Sequence, residues 1–161
     1  MGQLHLFGAQ TQLEILSNLG DPLIKANQLI DWEIFRQPIE TTIHKDTSKG
    51  GRPPYDAILM FKITILQQWY RLADMTAQYM INDRLSFMHF LGLEIGDKVP
   101  DGNTIWDFKE ALKTNQTDRK LFDTFNKILE EKGIITHKGS IIDATFVTVP
   151  KRHTTKMMMR T

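Results

Sequence analysis

Apolar residues recur at helical spacing through most of the chain and change to a strand-like pattern only near its end. A helix around Thr11 to Leu19 stops at Gly20, a residue type favoured just past a helix end. Asp21-Pro22 reads as an N-cap followed by proline at the first helical position, opening a second short helix. Asp31 is placed to cap a third, with Trp32, Phe35 and Ile39 on one face and Pro38 weakening or kinking it. The stretch from His44 to Pro54 carries the glycine and proline punctuation of a loop. From Tyr55 to about Leu72 runs the longest apolar segment, nearly hydrophobic all round, which predicts a helix at the centre of a bundle. Asp74 and Asp83 are candidate caps of two further helices, the second ending at Gly92, with a loop from there to Gly102. Asn103 or Thr104 then caps a helix with Ile105, Phe108 and Leu112 on one face and Trp106, Lys109 and Lys113 on the other. The clearest helix is Asp118 to Lys132, where Leu121, Phe122, Phe125, Ile128 and Leu129 form an apolar stripe and Gly133 ends it.

Beyond Gly133 the period changes. Ile134 to His137 and Ser140 to Val149 read as two strands joined at Lys138-Gly139. The second is β-branched and apolar on both faces, the mark of a strand covered on both sides of a sheet. The expected fold class is therefore mainly α. A helical domain over residues 1–133 is followed, over 134–161, by a β-hairpin that begins a sheet the chain does not finish, and by a basic tail. Asp143 lies within the second strand, where a carboxylate is costly to bury unless it binds a metal or accepts hydrogen bonds. By physics alone those two roles are equally open for it.

Composition narrows the partners. Hydrophobic residues make up 41% of the chain, enough for a packed core, and the absence of cysteine excludes disulfides and thiolate metal sites. The apolar segment Ala57 to Leu72 is interrupted by Lys62, Thr64, Gln67 and Gln68, so it reads as a buried helix and not a membrane span. No secretory signal is visible, and a cytoplasmic location is expected. The net charge of +1 excludes a histone-like polycation, yet Lys151, Arg152, Lys156 and Arg160 follow Pro150 without an acidic neighbour. The histidines show no i, i+4 pair for zinc, and Trp69, Tyr70 and Tyr79 are read as core.

The run Gly51-Arg52-Pro53-Pro54-Tyr55, followed by the apolar helix ending Leu66-Gln67-Gln68-Trp69-Tyr70, resembles the N-terminal domain of InsH-like insertion-sequence transposases. So do Phe90-Leu91-Gly92-Leu93, Val99-Pro100-Asp101-Gly102-Asn103-Thr104-Ile105 with Phe108, and Ile141-Ile142-Asp143-Ala144-Thr145-Phe146-Val147. The motifs stand in the family's order and at about its spacing, over roughly Leu23 to Pro150.

The resemblance implies an all-α domain preceding a ribonuclease-H-like fold with an Asp-Asp-Glu triad that holds Mg²⁺ for in-line phosphodiester displacement. Asp143 matches the first triad member, as catalytic residue and metal ligand. No acidic residue follows it, so the reading is a truncated transposase whose triad is incomplete, with no Mg²⁺ stably held by this chain alone. The implied partner is DNA, the terminal inverted repeats of the element, together with a homo-oligomer or a hetero-oligomer with full-length transposase. The residues expected to meet DNA are Lys45, Lys49 and Arg52 in the loop, Trp106, Lys109 and Lys113 on one helix face, and Lys151 and Arg152 in the tail. The helices from Asp74 to Leu91, or the one after Thr104, are candidates for a helix-turn-helix. Two alternatives stand beside this reading: an active enzyme whose missing part is supplied in trans or by frameshifting, and an inert helical interaction module or relic.

Overall fold

Eight α-helices and one 3₁₀ turn account for the regular structure of the computed structural model, which describes residues 4–43 and 53–133, with side chains from residue 8 onward. In chain order these are α1 (Leu4–Asn18), α2 (Pro22–Leu29), a 3₁₀ helix (Trp32–Phe35), α3 (Arg36–Thr42), α4 (Ala57–Tyr70), α5 (Asp74–Asp83), α6 (Leu85–Leu91), α7 (Gly102–Thr114) and α8 (Thr117–Glu131). No strand occurs among the described residues, and none of the helices there is long and apolar enough to cross a membrane. The expected β-hairpin, Asp143 and the ribonuclease-H-like start all lie outside the described residues.

The centre of the bundle is aromatic. Trp32 and Phe35 from the 3₁₀ helix, Phe61 from α4, Phe90 from α6 and Phe125 from α8 converge, each at most 7% exposed. The Phe35 and Phe61 ring centroids are 4.7 Å apart, and Trp32 meets Phe90 edge-on at 5.5 Å, a spacing that suits the ring quadrupoles. As the near-continuous apolar pattern predicts, α4 runs through this cluster. It buries Ile58, Met60, Phe61, Ile63, Ile65, Leu66 and Gln67. Its one charged residue, Lys62, donates to Asn27 Oδ1 at 2.9 Å and to the Phe90 carbonyl at 3.1 Å, with its ammonium 5.0 Å from the Trp32 ring. Asn27 Nδ2 reaches the same carbonyl, so one polar node ties α2, α4 and α6. Burial pushes the Lys62 ammonium below the usual lysine range.

Several local expectations are corrected. The third helix divides: Asp31 caps the 3₁₀ turn by accepting from the Glu33 amide at 3.1 Å, and α3 starts anew at Arg36 with Pro38 in its first turn. There Pro38 removes no intrahelical hydrogen bond and no kink is needed. Asp56, not Tyr55, marks the start of α4, accepting from the amides of Ile58 and Leu59 at 2.9 and 3.0 Å. Neither Asp74 nor Asp83 caps a helix. Asp74 is the first residue of α5 with its side chain turned elsewhere, and Asp83 is the last. The cap of α7 is Asp101, which accepts from the Thr104 amide at 2.7 Å, in place of Asn103 or Thr104. Tyr79 is 66% exposed and not core, because the buried stripe of α5 is Ala77 and Ile81. Asp21, Gly20 and Gly92 behave as expected: Asp21 accepts from the Leu23 amide, and both glycines have positive φ.

Candidate nucleic-acid interface

Helix α7 is the element that carries most of the described candidate residues, and its position follows from its own sequence. Ile105, Phe108 and Leu112 bury one stripe, which leaves Trp106, Lys109 and Lys113 along another, one to two turns apart. Trp106 is 53% exposed. The two lysines differ in their partners. Lys109 Nζ is 2.5 Å from Asp74 Oδ1, an oxygen that also accepts from Gln67 Nε2 at 2.7 Å. Lys113 is largely exposed and meets Glu110 loosely, at 3.7 Å. Burial raises the Asp74 pKa, and the hydrogen bonds from Lys109 and Gln67 more than offset it, so the carboxylate sits below its ordinary range. Of the pair, Lys113 therefore has the freer ammonium.

The seat of α7 against α5 is close. A Cβ added at Gly102 would meet the Met75 side chain and its backbone nitrogen at 3.1 Å, so only glycine fits there unchanged. The Gly102 amide donates to Gln78 Oε1 at 3.1 Å, which satisfies an otherwise orphaned N–H at the helix start.

On its other side α7 forms a groove of about 740 Å³ with α4 and α8. The floor is Phe61, Ile65, Leu112 and Leu121; the lip carries Lys109, Lys113 and Arg119, interleaved with Glu110, Asp118 and Asp123. Arg119 is a cation that the sequence pattern did not single out. Nothing in the spacing of α8 marks it, and only the packing of α8 beside α7 brings it to the same lip as Lys113. A second cleft, of about 630 Å³, lies between α3, α4 and α7, with Ile39, Met60 and Phe108 below and Glu40, Asp56 and Asp107 at its edge. Asp56 is held there by Arg36, at 2.6 Å, and Arg36 also pairs with Glu33.

Charge is divided between the described residues and the rest. Residues 4–43 and 53–133 hold twelve Lys and Arg against seventeen Asp and Glu, a formal charge of −5. Residues 44–52 and 134–161 hold eight against two, a charge of +6, so the whole chain comes to +1. Lys45, Lys49, Arg52, Lys151 and Arg152 belong to that second group and lie outside the described residues. The helix-turn-helix expected between Asp74 and Leu91 meets a geometric obstacle. A single residue, Arg84, separates α5 from α6, and α6 buries Phe87, Met88, Phe90 and Leu91, leaving little of it to enter a groove. Among the described residues no three His, Asp or Glu side chains are grouped for a metal.

The described part of the molecule is thus an all-helical bundle with an aromatic centre and an outer helix, α7, framed by two clefts. A family model, the Transposase domain (DUF772), matches residues 11–111, and the chain belongs to that family. This is the N-terminal domain of InsH-like transposases, and the match spans α2 to α6 entirely with most of α1 and α7. Four of the five motifs that suggested the resemblance fall inside it; the one containing Asp143 lies beyond. No solved structure matches the chain.

Proposed function

We propose that this transposase-domain protein is the helical DNA-recognition part of an InsH-like insertion-sequence transposase, and that it binds the terminal inverted repeats of its element. The observation that carries the reading is the family match over most of the helical bundle. Charge decides which residues do the work. The described residues sum to −5, so phosphate contact is assigned to Lys45, Lys49 and Arg52, which precede α4 in the sequence, and to Lys151 and Arg152 toward the C-terminus, with Lys113 and Arg119 added from the groove lip. Lys109, engaged by Asp74, orients α7 and leaves phosphate contact to its neighbours. Asp143 is assigned as the first carboxylate of the family's Mg²⁺-binding triad.

The test is equilibrium binding of the purified chain to terminal-repeat DNA and to scrambled DNA across a salt series. Repeat DNA is expected to bind at least about tenfold more tightly. Replacing Lys45, Lys49 and Arg52 by Ala is expected to lower the log–log salt slope by about 0.9 for each phosphate that is no longer neutralised. Equal affinity for both DNAs overturns the reading.

A further inference from the structure

Lys109 and Lys113 stand one turn apart on α7 and share the groove lip with Arg119, yet their ammonium groups are held very differently. Lys113 meets Glu110 of its own helix at 3.7 Å, and its side chain is 71% exposed. An exposed contact of that kind exchanges readily with water or with another anion. Lys109 crosses instead to α5 and meets Asp74 Oδ1 at 2.5 Å, with 38% of the lysine side chain exposed and 22% of the aspartate's. The aspartate is itself fixed from behind. Its Oδ1 accepts from Gln67 Nε2 at 2.7 Å, and Gln67 is buried in α4, donating also to the Leu72 carbonyl at 3.3 Å. Asp74 is also the first residue of α5, where the positive end of the helix dipole favours an anion. Lys109 therefore faces an anion that stays in place, and Lys113 one that can be exchanged.

We propose that Asp74 acts as an internal stand-in for a DNA phosphate: it occupies the Lys109 ammonium and confines backbone contact on this lip to Lys113 and Arg119. The inference rests on the DNA reading above, and adds a residue that limits binding to those that provide it. A phosphate approaching Lys109 has to displace a carboxylate that Gln67 and the start of α5 hold, and leaves that half-buried carboxylate without its cation. At Lys113 it displaces a loosely held glutamate that water can take over. Asp74 thus sets how many phosphates α7 can neutralise and where along the helix the DNA backbone can lie. Neutralising Asp74 is then a gain-of-binding change, an outcome that loss of a purely structural ion pair does not produce.

The measurement is the salt dependence of binding of the whole chain to terminal-repeat and scrambled DNA. It compares the parent, Asp74→Asn, Asp74→Asn combined with Lys109→Met, and Asp83→Asn. Asp74→Asn is expected to steepen the log–log slope by about 0.9 on both DNAs, since one more phosphate is neutralised. That is roughly eightfold in affinity for each tenfold fall in salt. Adding Lys109→Met is expected to abolish the gain. Asp83→Asn makes the same change of charge at the other end of α5, and is expected to leave the slope at the parent value. A second readout needs no variant: in acetylation of lysines followed by peptide mass, bound DNA is expected to shield Lys113 and to leave Lys109 as reactive as in the free chain. The proposal is overturned by an unchanged slope in Asp74→Asn, by a gain that survives Lys109→Met or is matched by Asp83→Asn, or by shielding of Lys109 in the parent. Thermal melts verify that each variant is folded; if Asp74→Asn is not, the shielding decides. Equal affinity of the parent for the two DNAs sinks the terminal-repeat reading alone, because the slope comparison holds on either DNA.

Discussion

Trp32 is 7% exposed, with its ring between 5.5 and 6.3 Å from those of Phe35, Phe61, Phe90 and Phe125. Trp106 is 53% exposed on the outer side of α7. The two regions use the same kind of side chain in opposite ways. At the centre, aromatic area is removed from water by folding, and the rings hold one another in tilted, edge-on and stacked contacts. On the α5–α7 face, polar ties hold the backbone: a glycine seat, a glutamine on a helix N-terminus and an ion pair. The aromatics there are left over. The comparison separates residues that make the fold from residues that the fold presents.

The largest test of that separation is a pair of truncations. Phe35→Ala, at a position 1% exposed and 4.7 Å from Phe61, is expected to cost about 3–5 kcal/mol in chemical denaturation. Trp106→Ala is expected to stay within about 0.5 kcal/mol of the parent. Similar losses from both would erase the distinction. Of intermediate size is Gly102→Ala, which sets a methyl group against Met75 and its backbone. The expected cost is about 1–3 kcal/mol from displacement of α5, read as a lowered melting temperature. A neutral result would mean that the α5–α7 seat yields freely.

The smallest effect is on pH dependence. Asp74 titrates below its ordinary range when folded, so it adds stability that is complete above the unfolded carboxylate value of about 3.9. That contribution disappears as pH falls through the lower, folded value. Asp74→Asn is therefore expected to lose less stability than the parent on acidification below about pH 4. The parent–variant difference at neutral pH should be no more than about 1 kcal/mol, as for a partly exposed pair. Parallel melting curves down to acid pH would show that the Lys109–Asp74 contact does not hold in solution. Asp56 and Glu33 shift in the same direction beside Arg36, so the difference between the two proteins is the informative quantity.

Periodicity made the helices legible. The stripes Ile105, Phe108, Leu112 and Leu121, Phe125, Leu129 are buried as their spacing requires, and the apolar run of α4 lies at the centre. The helix starts were harder to read. Asp101, Asn103 and Thr104 are all cap-type residues; what selects Asp101 is the Gly102 amide on Gln78, a contact between residues 24 apart in the chain. Tyr79 misled because an aromatic residue in a weakly patterned helix can face either way, and the small Ala77 with Ile81 defines the buried side. In the candidate interface, Lys109 and Lys113 look equivalent along the chain, and only the position of Asp74 distinguishes them. Arg119 was invisible for the same reason, since its relation to Lys113 is a matter of how two helices pack.

The division of charge has a practical consequence. The whole chain, with an isoelectric point near 8.0, is weakly cationic at neutral pH. Residues 4–133 alone hold fifteen Lys and Arg against eighteen Asp and Glu, a charge of −3. A cut just past Gly133 would therefore reverse the sign of the larger product, moving it from a cation-exchange resin to an anion-exchange one.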